Sequence, residues 1–369
     1  KLSPDAKLEA KEVLENLKKD LQKDRNITDM LAHINAAGGY SGTEQTLDGM
    51  LIVNGDDEHP LKIYGAIYRC LQVDAKITNS GTILATPLEQ PGSADNYNTF
   101  RLRLYGDNTS FTGRIILDAW SGKVPDDDSN SAMLTINGET SLGAASPACW
   151  NRLTLRNGTL FAGSTEENGR ITGAGRGICA GGNARLQVSG TKTMQIDSKI
   201  TYDGTVRKVG TGTLLLSARP GWGQNLSAPV AGGSRLSIVE GAVKPLAAHV
   251  FDGVAVACAG GKLLYAANPE DEELRAYGLR SDFAASFDVS SANISVALDN
   301  GGEPMDPKAR VALCTVTADE AAALRGKIVC DVPDGWKKAI IYEAPAADGV
   351  GVTISVGDRK PQGVIIIIE

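Results

Sequence analysis

The chain has 369 residues and a net charge of −7, so it has no basic excess for a polyanion, and nucleic acid is excluded as a partner class. Glycine accounts for 42 residues, about 11% against a usual ~7%, and aromatics for only 5%. That composition suits thin aliphatic layers with many corners. No run reaches the ~18 apolar residues of a spanning helix, and the most apolar stretches, 254–258 and 365–368, are strand-length. The first residue is Lys1, and a removed export signal is the expectation.

Residues 3–35 read as helix. Ser3, Pro4 and Asp5 form a start signal: a capping hydroxyl, proline at the first helical position and an acid in the first turn. Ala10, Val13, Leu14, Leu17 and Leu21 recur at helical spacing and make one apolar stripe. Two uses fit the stripe. It covers the first layer of the body as a cap, or it docks on another copy through Leu14, Leu17 and Leu21. The segment 1–38 is therefore the expected N-terminal α-helical cap.

Short alternating segments follow, punctuated by glycine. They include FTGRIILDA (111–119), AMLTING (132–138), RLTLRNGTLFAG (152–163), ARLQVSG (184–190), GTVRKVGTGTLLLS (204–217), RLSIVEGAV (235–243) and GGKLLYA (260–266). In each, apolar and polar residues alternate with period two, as in a half-buried strand. The anchors Leu117, Leu134, Leu153, Leu186, Leu214 and Leu236 are spaced 17 to 33 residues apart. That is the scale of one solenoid coil. An antiparallel sandwich also predicts many short strands. Recurrence of near-equivalent segments favours a parallel β-helix over 39–270, with stacked coils sharing one core.

Residues 271–369 change character. The acidic stretch 270–273 breaks the pattern. Strand candidates at 294–298, 310–316, 327–330, 338–343 and 351–356 then suggest a small β-rich domain that closes the solenoid. Val364, Ile366 and Ile368 mark a final strand and a second candidate surface for self-association. Six cysteines include no C-x-x-C pair, so zinc-knuckle and thioredoxin chemistry are excluded. Cys314 and Cys330 are the disulfide to test first, against the reading that each cysteine is a small buried hydrophobe.

Two stretches carry a family resemblance. Lys208, Gly210, Gly212, Thr213, Leu214, Leu216 and Ser217 match the first half of the autotransporter-associated β-strand repeat. Asn108, Thr109, Phe111, Thr112 and Gly113 resemble its second half. The two matches lie in different coils, and Ala218 stands where the family usually has glycine. The resemblance covers about the middle half of the chain. It implies a right-handed parallel β-helix in a secreted or surface-exposed bacterial protein. It does not imply the autotransporter pathway, because the chain lacks the long run of ~10-residue alternating strands of a membrane barrel.

Catalytic chemistry has few candidates. Glycosidases need two positioned carboxylates, and the acidic loops 56–59 and 126–128 supply acids. Runs of acids in loops are usually solvated turns. Asp126, Asp127 and Asp128 with Asn130 are the Ca²⁺ candidates, although their spacing matches no EF-hand or RTX loop. His33, His59 and His249 lack the glycine flanks of polygalacturonases. The expectation is an extracellular structural or adhesive protein that self-associates head to tail, with no cofactor. The alternative is a polysaccharide-active lyase or hydrolase, or a carbohydrate-binding module, on the same scaffold.

Overall fold

The computed structural model describes residues 45–65, 69–87, 100–118, 132–136, 138–144, 151–162, 169–171, 176–182, 184–221, 234–247, 249–267, 293–347 and 349–358. The segment expected as an N-terminal helix, with Leu14, Leu17 and Leu21, lies outside them, as do Val364, Ile366 and Ile368.

The described chain is mostly β and winds as a solenoid-like stack. Each early coil lays one segment on each of three sides. The first side holds β1 (Gln45–Leu47), β4 (Arg69–Val73), β7 (Phe100–Leu104), β9 (Ala132–Ile136), β11 (Thr159–Ala162), β14 (Arg185–Val188), β16 (Ile200–Val209), β18 (Arg235–Ile238) and β20 (Ala255–Cys258). Every neighbouring pair on this side is parallel.

The second side opens with β2 (Met50–Ile52) and β5 (Lys76–Thr78), then continues through an Asn79–Phe111 bridge and a 3-10 turn at Glu139–Leu142. It resumes as a seven-stranded sheet: β12 (Gly169–Ile171), β15 (Thr193–Ile196), β17 (Thr213–Leu216), β19 (Ala242–Pro245), β21 (Lys262–Ala266), β22 (Ile294–Asp299) and β24 (Ile328–Cys330). The third side holds β3 (Leu61–Gly65), β6 (Thr82–Pro87), β8 (Arg114–Asp118), β10 (Leu153–Arg156), β13 (Ile178–Gly182) and the first half of β16.

Residues 200–204 of β16 pair on the third side and residues 205–209 on the first. Gly204 stands between the halves at φ +101, where an L side chain is strained, and lets one strand serve two sheets.

The six leucine anchors are all buried. Their irregular spacing has a simple cause: Leu134, Leu186 and Leu236 lie on the first side, Leu117 and Leu153 on the third, and Leu214 on the second. Along one side the register is plain. Leu71, Leu102, Leu134, Leu160, Leu186, Lys208, Ile238 and Cys258 stand level in successive coils, 20 to 32 residues apart.

The parallel stack runs past residue 270 through β22 and β24. Between and after them the chain forms an antiparallel sheet of β23 (Arg310–Val316), β26 (Val352–Gly357) and β25 (Ile340–Pro345). Helix α1 (Ala318–Leu324) starts at a capping box. Glu320 N–H donates to the Thr317 hydroxyl, and the Glu320 carboxylate accepts from the Thr317 N–H. Ala321 and Leu324 join one core with Val311, Leu313 and the coil interior.

Cys314 and Cys330 are free thiols, the reading the sequence kept beside a disulfide. Cys314 sits on β23 of the antiparallel sheet and Cys330 on β24 of the stack. Burial pushes the Cys314 thiol up to about 12 and the Cys330 thiol up to about 11, and both stay protonated at neutral pH.

Candidate functional site

The densest polar chemistry lies at the corners, and Lys208 is its centre. Its side chain points inward, level with Leu186 and Ile238, and is fully buried. The ammonium donates to the carbonyls of Gly210, of Gly212 at 2.6 Å and of Glu240 at 2.8 Å. Three N–H donors meet three acceptors. Two acceptors belong to the corner of its own coil and the third to the next coil. Burial pushes the amine down to about 8, and the Glu240 carboxylate opposes that shift. With its hydrogens engaged by carbonyls, the group is a cross-coil tie and not a nucleophile. Lys208 is also the lysine that opens the repeat-like motif, so the motif's first half marks a corner tie.

The second half of the motif does similar work. Asn108 is fully buried. Its Oδ1 accepts the Ile77 N–H at 2.7 Å, and its Nδ2 donates to the Ser141 carbonyl at 2.8 Å. One amide therefore joins three successive coils. Asn108→Ala would leave an N–H and a C=O buried without partners, an expected loss of about 2–4 kcal/mol. Chemical denaturation followed by circular dichroism checks this; an unchanged midpoint would contradict the tie. Arg152, also fully buried, donates to the carbonyls of Gly113 and of Ala144 at 2.9 Å, and its guanidinium lies 5.8 Å from the Phe111 ring centre. The Arg176 Nε donates to the Gly143 carbonyl at 2.9 Å.

The described acidic loop is also engaged locally. Asp56 accepts the N–H groups of Glu58 at 3.0 Å and His59 at 2.7 Å, and the His59 N–H holds its carboxyl below the usual value. This is a side-chain-closed turn. Asp57 pairs with Arg114 and accepts from Thr82 Oγ1 at 2.8 Å. The second loop, with Asp126, Asp127 and Asp128, lies outside the described residues. Among the described residues no three His, Cys, Asp or Glu side chains converge as metal ligands. No described helix is long and apolar enough to cross a membrane.

Sequence reasoning passed over one surface cluster. His249, at φ +64, places Nδ1 3.0 Å from Asp252 Oδ2, and Arg219 reaches the same oxygen at 2.8 Å. The His-x-x-Asp spacing across a turn was the available signal. The carboxylate orients the imidazole, and the guanidinium balances the carboxylate's charge.

The two ends of the second side form the other candidate surface. Strand β2 turns Leu51 onto the core and leaves Met50 and Ile52 outward at 66% and 58% exposure. Strand β24 turns Ile328 inward and leaves Val329 outward at 49%. Among the described residues β2 pairs only with β5, and β24 only with β22. In comparisons with known proteins, no family model, curated protein or solved structure matches this chain.

Proposed function

We propose that this chain is a structural or adhesive protein of the bacterial exterior, a right-handed parallel β-helix that joins copies head to tail. The observation that carries the reading is how the buried polar groups are used. Lys208, Asn108 and Arg152 all donate into the backbone of other turns or coils. Such side chains stiffen a scaffold and leave no reacting atom. The repeat-like motif supports the same reading, since both its halves fall on these ties. The parallel stack supplies a polarity, and a heterologous contact that does not close yields a filament. The acidic loop offered for polysaccharide chemistry has Asp56 in a turn and Asp57 on Arg114.

Negative-stain electron microscopy across a dilution series tests the reading. Rods with a regular repeat that lengthen with concentration are expected. Uniform monomers at every concentration, with cleavage of a polysaccharide in a broad panel, would replace it with the enzyme alternative.

A further inference from the structure

Asparagine is followed by glycine at 54–55, 137–138, 157–158, 168–169 and 300–301. Such a pair is open to attack by its own backbone, because the glycine nitrogen has no neighbouring side chain to block the approach. Asn54, Asn157 and Asn300 lie among the described residues, and the fold treats them differently. At the first two the glycine is crowded. A Cβ on Gly55 would stand 2.2 Å from the His59 carbonyl oxygen, and one on Gly158 would stand 2.7 Å from Leu117 Cβ. Asn54 also accepts from the Asn79 amide, and the Asn157 N–H donates to the Gly181 carbonyl at 3.3 Å.

Asn300 opens the turn that leads out of β22. The Glu303 N–H donates to the Asn300 carbonyl at 3.2 Å, and Gly301 and Gly302, at φ +66 and +85, give a type I′ turn. Both glycines are exposed, and no described atom lies within 4 Å of a Cβ built on either. The Asn300 Nδ2 is held only by long bonds, to the carbonyls of Glu303 at 3.2 Å and Pro304 at 3.4 Å. Lys244 anchors the Asp299 carboxylate through Oδ2, and Oδ1 accepts the Gly301 N–H at 2.9 Å, which polarises the nitrogen.

We propose that Asn300 is a site of spontaneous deamidation. The Gly301 nitrogen bonds to Asn300 Cγ, the Cγ–Nδ2 bond breaks, and Nδ2 leaves as ammonia with the proton from the Gly301 nitrogen. Water then opens the cyclic imide on either side, giving aspartate or isoaspartate. The new carboxylate cannot donate to the Glu303 and Pro304 carbonyls and adds a negative charge beside Asp299. Conversion therefore loosens the turn between β22 and β23, while the crowded corners keep Asn54 and Asn157 intact.

The test incubates the full chain in mildly alkaline buffer, folded and in urea, and follows the peptides that carry Asn54, Asn157 and Asn300 by mass spectrometry. In urea all three are expected to gain one mass unit at similar rates. In the folded chain the Asn300 peptide should convert first. Those of Asn54 and Asn157 should slow roughly tenfold or more, because attack there waits for the corner to open. An Asn300 peptide that converts in urea but stays unchanged in the folded chain would overturn the proposal, as would equal folded rates at all three sites. Asn300→Asp supplies one product directly and should melt below the wild type by circular dichroism. An equal or higher melting temperature would overturn the loosening of the turn.

Discussion

Lys208→Met should lower the unfolding free energy by about 3–5 kcal/mol, the usual scale for breaking a buried, charge-bearing network from one side. Methionine nearly preserves the volume and removes the cost of burying a charge. It also leaves the carbonyls of Gly210 and Glu240 without their donor, while the Gly212 carbonyl keeps the Ala242 N–H at 3.2 Å. Each stranded carbonyl costs about 1–3 kcal/mol where water cannot reach it, and two of them, with the third left half satisfied, outweigh the relieved charge. Urea unfolding followed by far-ultraviolet circular dichroism is the measurement. A midpoint at or above that of the wild type would mean that the ammonium is a burden the corner tolerates, not its fastening.

Gly241→Ala should be damaging on a similar scale for a different reason. Gly241 has φ +66, a left-handed conformation that costs an L residue roughly 1–2 kcal/mol. A Cβ there would also fall inside the van der Waals radii of the Gly212 carbonyl, the Gly210 carbonyl and the Lys208 ammonium. Overpacking of this kind adds about 1–3 kcal/mol, so a total loss of about 2–5 kcal/mol is expected in the same assay. Two of the obstructing atoms are backbone and cannot step aside. Because the new methyl group meets Lys208 directly, Lys208→Met and Gly241→Ala should combine to less than their sum. Strict additivity in a double-mutant cycle would show that the two residues do not share one corner.

The sequence identified strand faces better than strand neighbours. Period-two alternation placed Leu134, Leu153, Leu186 and Leu236 in the core, and all are buried. It could not assign them to sides, because parallel neighbours lie 20 to 38 residues apart across loops of unequal length. Lys208 was visible only as a letter of a motif, since Lys-x-Gly resembles an exposed turn. Its parity with Val206, two residues earlier and fully buried, was the clue to its direction. Cys314 and Cys330 were the disulfide to test first, beside the reading that each is a small buried hydrophobe. The chain between them leaves the antiparallel sheet, forms α1 and returns to the stack, and both sulfurs are free thiols. The same return is why residues 271–369 looked like a separate domain, although β22 and β24 extend the parallel sheet.

The bent strand at Gly204 has a mechanical consequence. In a solenoid each coil touches mainly its neighbours, so an applied pull can peel layers one at a time. At β16 a single unbroken strand is laced into two walls, with hydrogen bonds to β13 on one and to β14 and β18 on the other. Peeling that reaches this point must open both walls together. The strand therefore acts as a rivet within the rod, dividing it into two lengths that yield separately under load.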